Sequence, residues 1–254
     1  MVAAVLLVKE LVLMKVEIRM VEKLKLKNPI IIEGFPGIGM IGTIGASYLA
    51  EKLDMKLVGY FVSAKFPPIA AIHNYKPVSP ARIYASEKHN LIVLFSEFVI
   101  PAETVFALSQ ELLAFAKANK ASIIYSLAGV ASQQPDDKFY GIASTPKVSE
   151  SLKKGGVEMI REGATQGVSG VLIAECASES FPAANIMVQT AAPLDPKGAA
   201  RLLDKLSQLV ALQVDTTELT VRGQQVESRL KDALSKMQAM HKDYKGLEEN
   251  PMYG

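Results

Sequence analysis

The sequence predicts an α/β fold, a mainly parallel sheet flanked by helices, with a C-terminal helical extension. Three observations carry this. Short apolar runs alternate with segments whose apolar residues recur about every 3.6 positions, the pattern of strands joined by helices. The run Ile30-Ile31-Ile32 is apolar without alternation, as in a central strand covered on both faces. That run passes through a glycine-rich turn, Glu33-Gly34-Phe35-Pro36-Gly37-Ile38-Gly39-Met40-Ile41-Gly42, straight into a helix.

Taken in order, the chain divides into four parts. Residues 1–27 are an N-terminal extension with an edge strand over Val16–Met20. The apolar start Met1–Val8 is too short to span a bilayer and has no basic leader or cleavage site. Residues 28–214 form the α/β domain. Pro29 precedes the central strand, and Gly34 and Gly37 allow the backbone angles its turn needs. Met40, Ile41, Ile44, Tyr48, Leu49 and Leu53 then mark a helix to about Asp54. Gly42, Gly45 and Ala46 leave that helix a flat side to lie on the sheet.

Strands are expected at Leu57–Val62, Ile69–His73, Arg82–Ala85 and Leu91–Phe95, with turns at Asn74–Pro80 and Glu87–Asn90. Pro101-Ala102-Glu103 opens a helix through Lys117, since proline and an acidic residue suit a first turn. Ser122–Leu127 is another apolar strand. The polar loop Ser132–Lys138 follows at its carboxyl end, where ligands usually bind in open α/β sheets. Gly141–Ser144 continues as a strand, and Thr145-Pro146 starts a helix that stops at Gly155-Gly156. Gly163, Gly167 and Gly170 lead into a helix through Ala177, and Ile186–Thr190 is the last strand. Asp195-Pro196-Lys197 caps a helix to about Gln213.

Residues 215–247 form a heptad-spaced helix, started by Asp215 with Glu218 three residues on. Val226, Leu230, Ala233, Met237, Met240, Tyr244 and Leu247 recur at spacings 4, 3, 4, 3, 4, 3, which makes a seam. The seam packs either on its own domain or between subunits, and the spacing leaves both readings open. Residues 248–254 are a free tail. Pro251 ends any helix, so Met252, Tyr253 and the Gly254 carboxylate stand clear to dock through ring burial, a phenol hydrogen bond and a charged contact.

Composition excludes several functions. A net charge of +2 with scattered basic residues gives no nucleic-acid footprint. The single cysteine, Cys176, rules out an intrachain disulfide and suits a reducing interior. No later segment is long and apolar enough for a membrane span, so a cytoplasmic protein is expected.

The string G-x-G-x-x-G at Gly37, Gly39 and Gly42 sits in the strand-to-helix context of a dinucleotide fold. That fold also wants a carboxylate about 20 positions later, at the end of the next strand. Here Ser63, Ala64 and Lys65 stand there, and no P-loop Lys-Ser or Lys-Thr pair follows the glycines. Gly34, Gly37, Gly39 and Gly42 are therefore read as a structural turn.

Other candidates for catalysis are equally thin. Gly167-Val168-Ser169-Gly170-Val171 has valine where a nucleophile elbow needs glycine. His73, His89 and His241 are far apart, without metal-ligand spacing. Cys176 is read as a packed thiol and His73 as a satisfied surface residue. Asp136 and Asp137 are too few for a cation site, and Glu33 and Glu97 are read as salt-bridging groups. No catalytic residue, metal or cofactor is expected.

The glycine turn Gly34–Gly42, the segment Gly163–Gly170, and Pro193-Leu194-Asp195-Pro196 with Ala199-Ala200 ahead of Asp215 resemble the archaeal proteasome-assembly-chaperone homologues. The resemblance covers about residues 28 to 220. It implies an α/β domain related to nucleoside-phosphorylase-like sheets, no established catalytic residues, self-association and a role beside the 20S proteasome. Met252-Tyr253-Gly254 matches the hydrophobic–tyrosine–any tail by which such proteins enter pockets between proteasome α-subunits. Met252 would fill an apolar slot, Tyr253 would stack and hydrogen-bond, and the Gly254 carboxylate would meet a pocket lysine. The expected function is a non-enzymatic oligomeric chaperone or scaffold. Its expected partners are further copies of the chain and proteasome α-subunits or another assembly factor, with no nucleic acid or membrane. The alternative is an enzyme that binds nucleotide-like substrates over the glycine-rich turn.

Overall fold

The computed structural model describes residues 15–221, together with Ser235. The apolar start, the heptad seam and the tail lie outside the described residues. The strands are β1 (Glu17–Met20), β2 (Ile30–Gly34), β3 (Lys56–Val62), β4 (Ala71–His73), β5 (Lys76–Val78), β6 (Ala81–Ser86), β7 (Leu91–Ser96), β8 (Ile123–Ala131), β9 (Phe139–Ala143), β10 (Glu158–Met159) and β11 (Ala183–Thr190). The helices are α1 (Ile41–Lys52), α2 (Val105–Ala118), α3 (Pro146–Lys154), α4 (Gly167–Ser178), α5 (Pro196–Val210) and α6 (Thr217–Val221).

Nine strands form one sheet in the order β1-β3-β6-β7-β2-β8-β11-β9-β10. Its centre, β7-β2-β8-β11, is parallel. Toward one edge β7, β6, β3 and β1 pair antiparallel; toward the other, β11 pairs antiparallel with β9. The run Ile30–Ile32 is thus the middle strand, and successive residues face opposite ways. Ile32, Val93, Leu127 and Ile186 pack under α1, α3, α5 and α6. Ile31, Ile92, Leu94 and Ile124 pack under α2 and α4. Both faces of the parallel centre are covered, which is why its strands read as unbroken apolar runs.

Local signals act where they were expected. Thr145 Oγ1 accepts from Val148 N at 3.4 Å and Pro146 opens α3, while Asp195 Oδ1 accepts from Gly198 N at 2.7 Å to cap α5. Three departures are local. The stretch expected as one turn, Asn74–Pro80, contains β5, which pairs with β4 as a separate hairpin. Its turn residues Asn74 and Tyr75 have φ of 50° and 65°, the left-handed pair that a two-residue hairpin turn demands. The turn itself was expected; β5 was not, because Pro77 inside Lys76–Val78 argues against a strand. The short β10 was also not expected, and α5 ends at Val210, where Ala211 turns left-handed at φ 52°.

Candidate functional site

The glycine turn closes on the protein itself. A Cβ on Gly42 would collide with the Leu127 carbonyl oxygen, and one on Gly34 would lie 2.5 Å from Ala46 Cβ. α1 therefore lies on β2 and β8 at backbone distance. Gly39, at φ 67°, gives its carbonyl to Asp195 N at 2.9 Å, and a Cβ there would meet Thr190 Cγ2 at 2.9 Å. Gly37 is extended, with open space where a side chain would stand. The first strand after α1 is β3, and β6 and β7 separate it from β2. In a dinucleotide fold that next strand adjoins the first and brings the ribose carboxylate to the turn.

Beneath α4 the structure gathers a polar row across three parallel strands. Glu33 of β2 stands opposite Ser126 of β8, which stands opposite Asn185 of β11. All three are buried. Glu33 Oε1 accepts from Phe35 N at 2.8 Å and from Ser169 Oγ at 3.2 Å. Burial pushes the Glu33 carboxyl above its ordinary pKa, against the pull of Ser126, Phe35 N–H and Ser169. Among the described residues Glu33 Oε2 and both side-chain polar atoms of Asn185 have no partner. The sequence had suggested Glu33 as a salt-bridging group; its partners are instead hydroxyl and backbone donors. Ser126 and Asn185 were missed, because only strand register places them beside Glu33.

The carboxyl end of the sheet carries a second constellation. Glu97 Oε1 accepts from Arg82 Nη2 and lies 2.8 Å from His73 Nε2, so Glu97 does salt-bridge and His73 is satisfied. The Arg82 guanidinium is buried 5.2 Å from the Phe95 ring centre and 5.8 Å from that of Tyr84. The loops leaving this end expose Ile38, Ile72, Tyr75, Val99 and Phe106. In the polar loop, Tyr140 Oη donates to Asp136 Oδ2 at 2.6 Å, and Arg201 reaches Asp137 at 3.4 Å. The Tyr140 hydrogen bond leads in holding the Asp136 pKa below its ordinary value. Among the described residues no three His, Cys, Asp or Glu side chains gather as a metal site. Cys176 is buried, and burial pushes its thiol up to about 12.

The C-terminal extension is rooted at the opposite, amino end of the sheet. Asp215 Oδ1 accepts from Thr217 N at 2.9 Å just ahead of α6, and Thr216 Oγ1 donates to Asp204 Oδ1 at 2.8 Å. Tyr48 Oη donates to the Asp215 carbonyl at 2.8 Å, Lys52 pairs with Glu218 at 2.6 Å, and Leu219 is buried. The seam residues Val226, Leu230, Ala233, Met237, Met240, Tyr244 and Leu247, and the tail Met252, Tyr253 and Gly254, lie beyond this root and outside the described residues. Among the described residues no helix is long and apolar enough to cross a membrane.

Comparison with known proteins agrees with this architecture. The sequence model of the PAC2 family matches residues 31–234. An uncharacterized protein of Methanocaldococcus jannaschii is 31% identical over 232 residues, which covers 91% of this chain and 95% of the relative. The crystal structure of Pyrococcus furiosus PbaA, an archaeal homolog of proteasome-assembly chaperone, superposes with a TM-score of 0.79 at 28% identity, covering 89% of this chain and 99% of PbaA. Pyrococcus furiosus PbaB, an archaeal proteasome activator, shares the fold with a TM-score of 0.73 at 21% identity, over 86% of this chain and 98% of PbaB.

Proposed function

The chain belongs to the PAC2 family, and we propose that it is a non-enzymatic, oligomeric chaperone or scaffold in 20S proteasome assembly. It acts in the cytoplasm through the surfaces it presents and through its C-terminal tail. The observation that carries this reading is the similarity to PbaA over nearly the whole of both chains, in a chain ending Met252-Tyr253-Gly254. In the proposed mode Met252 fills an apolar slot between proteasome α-subunits. Tyr253 stacks and hydrogen-bonds there, and the Gly254 carboxylate meets a pocket lysine. The seam from Val226 to Leu247 joins subunits, and Gly34, Gly37, Gly39 and Gly42 serve as a structural turn. The close approach of Gly39 to Thr190 and of Gly42 to the Leu127 carbonyl supports that last role, because a Cβ at either position would run into its neighbour.

The test is deletion of Met252–Gly254 followed by co-purification with proteasome α-subunits. Recovery is expected to fall to background, and equal recovery with and without the tail removes it from the mechanism. A thermal-shift screen with nucleotides checks the enzyme alternative, since a ligand at 100 times its Kd adds about 2.7 kcal/mol. No shift is expected.

A further inference from the structure

One edge of the sheet is open, and its side chains are complementary to themselves. β1 ends the strand order, and among the described residues it pairs with β3 alone. An antiparallel ladder bonds alternate residues to each side. Val21 N donates to Val58 O at 2.8 Å, in the register that sets Met20 against Gly59. Glu17 and Arg19 share that phase and bond to β3, so Ile18 and Met20 turn their backbone N–H and C=O groups outward. Such a row is a template for a further strand. Ile18 packs into the core under α2 and α4, whereas Met20 is 41% exposed and Val21 56%. Glu17 and Arg19 point to the other face. Lys15 holds Glu17 at 2.9 Å in an exposed pair, and among the described residues Arg19 has no ion-pair partner.

The charges on this edge select its occupant. A second β1 laid antiparallel must face outward-bonding residues with outward-bonding residues, which leaves few registers. Centred on Glu17 or on Arg19, the pair sets like charges directly opposite, which is destabilising. Registers centred further out run past the ends of β1, Glu17–Met20. Centred on Ile18, the pair sets Glu17 of each copy against Arg19 of the other. Both of these are non-hydrogen-bonded pairs, with Cα atoms about 4.5 Å apart, where side chains approach closest. The two Ile18 residues exchange backbone hydrogen bonds at the axis, and the exposed Met20 comes opposite Val16 of the other copy. Charges usually guard an edge strand against pairing. Opposite signs two residues apart make this edge self-complementary instead.

We propose that a second copy of the chain adds to the sheet at β1, antiparallel and centred on Ile18, with Glu17 paired to Arg19 on both sides of a two-fold axis. The axis stands normal to the sheet. The α2–α4 faces of both copies therefore lie on one side, and the carboxyl ends of the two parallel centres point in opposite directions. A strand of four residues makes a small interface. The contact accordingly rests on the self-association given under Proposed function, to which it adds a named surface, and it does not involve the tail.

The test uses full-length chains. A tagged Glu17→Cys chain is co-expressed with an Arg19→Cys chain, which opposes two thiols on one side of the axis and keeps the native ion pair on the other. A Cα separation of about 4.5 Å is within disulfide reach, and the native Cys176 is buried and does not compete. Mild oxidation is expected to give the mixed dimer at about tenfold or more the yield from Val99→Cys, whose exposed thiols meet only by collision. Glu17→Cys alone should stay near the Val99→Cys level, because its two copies stand diagonally about 7–8 Å apart. Equal yields from the mixed pair and Val99→Cys overturn the contact. Hydrogen exchange gives a second reading: the Ile18 and Met20 amides should exchange about tenfold or more faster in Arg19→Glu, which sets like charges opposite. Protection that Arg19→Glu leaves unchanged assigns the edge to another occupant, such as residues 1–14 of the same chain, and overturns the proposal. No cross-link with a native mass above that of the monomer sinks this contact and leaves the self-association reading standing. A monomeric native mass sinks both.

Discussion

Gly42 and Gly45 lie one turn apart on α1, yet the same change should move stability in opposite directions. An alanine Cβ at position 42 would collide with the Leu127 carbonyl, with Gly34 Cα only 3.3 Å away on the other side. Both obstacles are backbone, so neither can swing aside. To restore ordinary contact α1 must retreat from β8 by about 1 Å, which loosens its packing on the parallel centre. Overpacking of this kind costs about 1–3 kcal/mol, and a whole helix moving puts Gly42→Ala at the upper end. Alanine returns about 1 kcal/mol through helix propensity, leaving a net loss of about 2 kcal/mol. At position 45 the added carbon would sit 3.4 Å from Leu127 Cδ1 and 3.7 Å from Leu203 Cδ2, ordinary contacts. Gly45→Ala should therefore gain up to about 1 kcal/mol. The two variants should differ by about 3 kcal/mol, a shift of roughly 6–12 °C in Tm for a chain of this size. Urea unfolding followed by circular dichroism measures both. Gly42→Ala matching the wild type, or Gly45→Ala losing as much as Gly42→Ala, refutes the backbone-contact reasoning.

Other consequences are equally direct. Glu33 has a folded pKa raised by burial above its ordinary 4.5, so the native state binds the proton more tightly than the unfolded chain. Its contribution is therefore fully present below about 4.5 and is lost as pH rises through the raised value. The stability of Glu33→Gln minus that of the wild type should grow over that window, and parallel urea profiles at all pH values would show the carboxyl is not the source. Glu97→Ala leaves the buried Arg82 guanidinium without its carboxylate and should cost about 3 kcal/mol, whereas His73→Ala, at an exposed contact, should cost under about 1 kcal/mol. The reverse order in chemical denaturation would contradict the assigned partners. Cys176, with its thiol pushed up to about 12, should resist a thiol reagent such as dithionitrobenzoate in the folded protein and react at once in urea; rapid native labelling would mean the helix α4 face opens.

How much of this was legible depends on whether the cause is local. The helix caps at Thr145 and Asp195, the βα unit at Ile30–Gly42 and the unbroken apolar strands follow from neighbours in sequence, and they sit where expected. The mixed edges of the sheet do not, since nothing local to Lys56–Val62 says that it will skip past β7 and β6 to lie far from β2. The polar row was half visible. Glu33 and Ser169 stood out as residue types, but 136 positions separate them, and only the packing of α4 over β2 brings the hydroxyl to the carboxylate. Ser126 and Asn185 looked like ordinary strand residues until register aligned them. The hairpin of β4 and β5 was half visible: the turn after His73 was expected, but Pro77 hid the strand Lys76–Val78, which only its pairing with Ala71–His73 defines.

The placement of the C-terminal root has a consequence for how this molecule could work between two others. Exposed Tyr75, Val99 and Phe106 crown one pole, while Thr217–Val221 departs from the other. A partner that grips this crown leaves the surface around α6 uncovered, because the slab of strands stands between the two. Such a molecule has a front and a back, and contacts made at its two poles do not compete for the same surface.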